Sequence, residues 1–181
     1  APPAAGIARP GLLQRPGLLL MVLAAVGIAN GRTHRGLQPV VVKDTLEQRR
    51  TGTQYEKWNS FSRVAMGPLG LSPPNLWGPS PYMPVTPIEQ RVLIIDGDAG
   101  TTMSRFDGNV DHTSYLRYDV TTLPYFVRSS GRAAIFGVGG GRDVLSAWTF
   151  GFRDISGVEL NPIFVDLLTH RQPFADFAGL A

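Results

Sequence analysis

The chain has 181 residues, 43% of them apolar, and a formal charge of +3. That length suits one domain or one and a half, with enough apolar content for a core. With no cysteine, a disulfide frame and a thiolate metal site are both excluded. The positive charge is local. Arg9, Arg15, Arg32, Arg35 and Lys43 carry it without one acid, leaving 12 basic against 14 acidic residues elsewhere, a net of −2. A nucleic-acid footprint needs basic residues clustered on a folded face. In this chain they bracket an apolar run, which points to a membrane surface.

That run is Gly17 to Ala29, GLLLMVLAAVGIA. It has no charge, yet is shorter than the roughly 20 apolar residues of a membrane span. Three readings stand: the end of a transmembrane helix, a signal-peptide core, or a buried helix. Gln38 to Lys43 reads as a short strand, and Tyr55 to Met66 as a half-exposed hairpin strand. Gly67 to Pro87, rich in proline and glycine, reads as a loop or insertion. Arg91 to Ile95 is another strand, with Asp96-Gly97 turning out of it, and a short helix begins near Leu123-Pro124. His34, His112 and His170 show no metal-ligand spacing.

The chemistry concentrates between Ala133 and Pro162. Arg132 to Phe136 is expected to be a strand buried on both faces. Gly137, Gly139 and Gly141 then give G-x-G-x-G, with Arg142 where the dinucleotide fingerprint G-x-G-x-x-G requires glycine. The spacing leans toward an S-adenosylmethionine-type site rather than NAD. A helix over Arg142 to Phe150 carries Val144, Leu145 and Trp148 on its apolar side, and Gly151 stops it. Its N-terminus offers unpaired N–H groups and a partial positive charge, which Asp143 complements. Asp154 to Val158 forms the next strand, ending at Glu159, a carboxylate placed to accept hydrogen bonds from ribose hydroxyls. Asn161-Pro162 reads as an N-cap and first helical position. Ile163, Val165, Leu167 and Leu168 follow as the buried helix face. The plainer alternative is a glycine turn and an exposed acid in an ordinary α/β domain.

WNSFSRV (58–64), LIIDGD (93–98), YDVTTLPY (118–125), GVGGGRDVLSA (137–147) and GVELNP (157–162) together resemble the spermidine synthase family, and more closely bacterial membrane-embedded spermidine-synthase-like proteins. The resemblance covers about Val40 to Leu168. It implies an α/β protein in which a small N-terminal β domain precedes a Rossmann-like S-adenosylmethionine-dependent methyltransferase fold, truncated in this chain. The expected division is 1–33 as the end of a transmembrane segment with its flanks, 34–112 as the β-rich domain, and 113–181 as the first part of the nucleotide domain.

The implied activity is transfer of an aminopropyl or methyl group, from decarboxylated S-adenosylmethionine or S-adenosylmethionine, to a small-molecule amine, as in polyamine biosynthesis. Gly137, Gly139, Gly141, Asp143 and Glu159 would bind the cofactor. Asp96, Gly97 and Tyr115 would border the substrate cleft, with a core role for Tyr115 as the alternative. The implied protein is membrane-associated through its N-terminal segment, has a cytoplasmic soluble domain and no nucleic-acid partner, and includes homo-oligomers among its expected assemblies.

The chain departs from the family pattern. Asp98-Ala99-Gly100 stands where a glutamine follows the aspartate-glycine pair, and Tyr115-Leu116-Arg117 replaces tyrosine, histidine or glutamine, then glutamate. A cationic Arg117 repels a diamine. The family's catalytic aspartate belongs to a later strand, so no base is assigned, and the chain is read as an inactive piece of a longer transferase. Two other classes stay open: a non-catalytic membrane-tethered nucleoside-binding scaffold, and an NAD-dependent oxidoreductase.

Overall fold

The structure, a computed structural model, describes residues 16–32 and 52–181, together with the backbone of 42–43 and 46–47. Residues 1–40 and 41–181 form two compact units. In the first, helix α1 spans Pro16–Gly31 and none of its residues is buried. At 1.5 Å per residue it is about 24 Å long, short of a bilayer's roughly 30 Å hydrocarbon core. No helix among the described residues is long and apolar enough to cross a membrane.

The second unit is mixed α/β. Val42–Lys43 (β1) and Leu46–Glu47 (β2) pair as a two-residue antiparallel ladder. The rest of the strand expected from Gln38 lies outside the described residues. Tyr55–Trp58 (β3), Arg63–Ser72 (β4), Ile88–Ile95 (β5) and Ala99–Ser104 (β6) form a four-stranded antiparallel sheet in chain order. The single strand expected over Tyr55 to Met66 is therefore a hairpin whose turn is Asn59–Ser62. Strand β4 continues six residues into the expected loop. It passes Gly67-Pro68 through a register shift between Met66 and Leu69. A bulge is where a residue with no N–H fits a ladder. The β5–β6 turn places Asp96 at φ 52° and Gly97 at φ 82°, two successive left-handed residues as primed hairpin turns require.

Beyond β6, a 3-10 segment runs over Val110–Tyr118, a second over Val120–Thr122, and helix α2 over Leu123–Val127. Arg132–Phe136 (β7), Arg142–Thr149 (α3) and Asp154–Val158 (β8) make a β-α-β unit with β7 and β8 parallel and Phe136 opposite Val158. Helices α4 (Pro162–Thr169) and α5 (Phe174–Ala178) follow.

The main core lies between the antiparallel sheet and the last two helices. Val64, Met66, Leu93 and Met103 pack with Phe164 and Leu167, all fully buried or nearly so. The α4 face is Ile163, Phe164, Leu167 and Leu168, while Val165 is exposed. Strand β7 corrects the expectation of burial on both faces. Ile135 is its one buried residue, and Phe136 is 78% exposed. Two strands cannot cover both of their own faces, so one face packs through Ile135 on Ala147 of α3 and on Phe152 just beyond it, and the other stays open.

Candidate functional site

The glycine turn after β7 is held by its own amides. Gly137 N–H donates to Val158 O at 2.8 Å and Gly141 N–H to Val138 O at 2.9 Å. Gly139 N–H donates to Glu159 Oε2 at 2.8 Å, and Gly140 N–H to Thr101 Oγ1 at 3.2 Å. Each glycine has its own reason. Gly137, at φ 78°, has nothing within 4 Å of its Cβ position, so a side chain there would fill open space. Gly139 and Gly141 adopt φ 53° and 91°, the left-handed region natural to glycine. Gly140 is demanded by packing, because a Cβ would lie 2.0 Å from Thr102 O on β6.

Glu159 stands directly after β8. Its Oε1 accepts from Asn161 N–H at 2.8 Å, so each carboxylate oxygen has one backbone donor. A carboxylate accepts about four hydrogen bonds, which leaves capacity for two sugar hydroxyls. Asn161 caps α4 through Ile163 N–H at 3.1 Å, as the Asn-Pro signature implies. The same amide reaches the β3–β4 turn. Asn59 Nδ2 donates to Asn161 Oδ1 at 2.7 Å, and Asn161 Nδ2 donates to Ser62 Oγ at 2.9 Å.

Gly137, Gly139, Asp143, Glu159 and Asp96 line one cavity of about 500 Å³, with Arg142, Thr101, Trp77 and Phe61 among its other walls. The acids number three against one arginine, so the cavity carries an excess of negative charge. Arg142 Nε donates to Asp143 Oδ1 at 3.1 Å and lies 3.7 Å from Asp119 Oδ2. Its guanidinium carbon sits 5.8 Å from the centre of the Trp77 ring. Asp119 is buried and also accepts from Trp77 N–H at 3.3 Å and Thr121 N–H at 3.1 Å. The open Cβ position of Gly137, the spare capacity of Glu159 and the negative lining together fit a cationic nucleoside.

Gly141 and Gly97 are not among the cavity's lining residues. Gly141 packs instead against Leu180 and Leu168. Asp96 reaches the cavity while its Oδ1 accepts from Arg63 N–H at 2.8 Å, which fastens the hairpin turn to β4. Tyr115 lines a second cavity with Glu89, Asp107, His112 and Arg117. Burial raises its pKa above the ordinary phenol value, against a hydrogen bond with Ser104 and the charge of Arg142. Arg117 donates to Thr149 O at 2.9 Å and covers the Phe150 ring at 4.5 Å. Its charge is thus spent on the C-terminal carbonyls of α3, where a cation is favourable.

Sequence reasoning missed Thr101, Trp77, Phe61 and the role of Asp119. Asp119 carried a local signal, since Asp two residues before Thr121 forms a capping turn. Thr101 carried none, because its contact with Gly140 spans 39 residues. No protein-family model matches the chain, nor does any curated protein or solved structure.

Proposed function

We propose that this chain belongs to a spermidine-synthase-like transferase with a Rossmann-like methyltransferase fold. It binds S-adenosylmethionine or its decarboxylated form in the glycine-turn cavity. The observation that carries the reading is the meeting of Glu159 with the glycine turn on one cavity whose lining has three acids and one arginine. A sulfonium nucleoside is a cation and complements that lining. NAD brings a pyrophosphate with two negative charges, which the same lining opposes.

When bound, the sulfonium supplies an alkyl group to an amine and leaves as a neutral thioether. Glu159 holds the sugar, the glycine main chain lies against the nucleoside, and Asp143 with Asp96 offsets the ligand's positive charge. Alignment of acceptor with the sulfonium carbon supplies most of the rate, and the acceptor must lose one proton. The apolar, acid-free N-terminal segment associates with a membrane in this reading.

The non-catalytic scaffold is favoured by one observation. Arg117 lines the Tyr115 cavity while bound to Thr149 O and Phe150, so the fold fixes a cation there and not a carboxylate that would receive an amine. Calorimetric titration of the full-length protein with S-adenosylmethionine, its decarboxylated form and NAD tests the cavity. Heat with either sulfonium and none with NAD is expected; heat with NAD alone overturns the assignment. Release of methylthioadenosine or S-adenosylhomocysteine in the presence of amines then separates transferase from scaffold.

A further inference from the structure

The cavity bordered by Tyr115 encloses about 500 Å³ and shares no lining residue with the glycine-turn cavity. One of its walls is the 3-10 segment Val110–Tyr118. A 3-10 turn takes three residues, so positions three apart lie in rows. Thr113 and Leu116 make the buried row, and Thr113 Oγ1 bonds Thr149 Oγ1 of α3 at 2.6 Å. Asp111, Ser114 and Arg117 make another row, all exposed and all lining the cavity. At about 2.0 Å per residue, the acid and the arginine at its ends stand about 12 Å apart along the axis.

Most charges of this cavity neutralise one another. Glu89 pairs with Arg105. Asp107 accepts from Asn109 N–H with one oxygen, and its other lies 2.9 Å from His112 Nδ1. Asp111 and Arg117 are different, because neither has an ion pair among the described residues. Arg117 is nevertheless held in place. Its Nη2 donates to Thr149 O at 2.9 Å, and its guanidinium carbon lies 4.5 Å from the centre of the Phe150 ring. A guanidinium has five N–H donors, so most of them stay open on a group already oriented. One uncompensated anion and one uncompensated cation thus close the two ends of a single row.

We propose that this cavity binds a linear zwitterion, an amino acid whose amine and carboxylate stand at opposite ends of a methylene chain. The carboxylate pairs with Arg117 and the amine with Asp111, while the Ser114 hydroxyl lies between them. Pro87 and Ile88, which also line the cavity, cover the methylenes. A diamine meets the like charge of Arg117, and a diacid meets that of Asp111, so both are rejected. Only a ligand with one charge of each sign satisfies both ends. The inference goes beyond the nucleoside reading and does not depend on it, since the two cavities have separate walls.

The test is calorimetric titration of the full chain with 6-aminohexanoate, 1,6-diaminohexane, hexanedioate and glycine. The amino acid is expected to bind at least tenfold more tightly than the diamine or the diacid, and glycine, too short to span the row, not to bind. Asp111→Asn is expected to weaken 6-aminohexanoate about tenfold and to leave the melting temperature and the heat of sulfonium binding unchanged. Arg117→Glu is expected to reverse the preference toward the diamine. If that variant does not fold, Asp111→Lys gives the mirror result, a preference for the diacid. Equal binding of all three chains, no binding of 6-aminohexanoate, or native affinity in Asp111→Asn overturns the proposal. A chain that takes a sulfonium but no amino acid overturns it alone, and one that takes the amino acid but no sulfonium overturns only the nucleoside reading.

Discussion

The antiparallel sheet and the parallel β7–β8 pair meet water very differently. On β4, β5 and β6, Val64, Leu93 and Met103 are fully buried against α4 and α5. On β7 and β8, Phe136 and Val158 lie exposed and Ile135 alone is buried. Yet the glycine turn and Glu159 belong to the second region. The site therefore sits on the less covered element and depends on the better covered one for its geometry, through Thr101, Asn161 and the close approach of Gly140 to β6.

The contrast can be broken by truncating one side chain in each region. Leu167→Ala is expected to cost about 2–5 kcal/mol of stability in urea unfolding, as buried leucines do. Phe136→Ala should stay within about 0.5 kcal/mol, as exposed sites do. Equal costs would mean that the open face of β7 is covered in solution. Gly140→Ala is next in size. With Thr102 O only 2.0 Å from the added methyl, the backbone must shift, at about 1–3 kcal/mol. The heat of sulfonium binding should fall with it; a native melting curve and full binding would show that the turn does not lean on β6. The smallest effect concerns Tyr115. Burial raises its phenol pKa above 10.0 in the folded chain, so the unfolded chain ionises first as the solution turns alkaline. The stability it contributes is intact below pH 10 and declines as pH rises past that value toward the folded pKa. In pH-dependent unfolding, Tyr115→Phe should show a shallower alkaline decline, and an unchanged slope would place the phenol in water.

What was legible in the sequence was local. The G-x-G-x-G turn, the α3 start at Arg142, Glu159 after its strand and the Asn161-Pro162 cap all depend on neighbours a few residues apart. The start of α2 at Leu123-Pro124 was legible for the same reason, because proline fits a first helical turn. What failed was set by distant partners. Strand β4 passes Pro68 because β5 holds the ladder on both sides of the shift, and no local rule foresees that. Strand β6, AGTTMS, has a weak apolar pattern and was missed; it is fixed by β5 and by the turn at Asp96. Apolar composition suggested two buried faces for β7, but coverage depends on how many strands stand beside it. Phe61 reaches the cavity because its turn is fastened to Asn161, about a hundred residues away.

Asn161 has one further implication. A single carboxamide starts a helix, fastens a hairpin turn and adjoins the acid of the cavity. Exchange of Asn161 strands both Asn59 Nδ2 and Ser62 Oγ, and exchange of Asn59 or Ser62 removes one partner from the Asn161 carboxamide in a partly dry place. Three positions that look independent in the linear chain are thus expected to be inherited as a set, changing jointly or not at all.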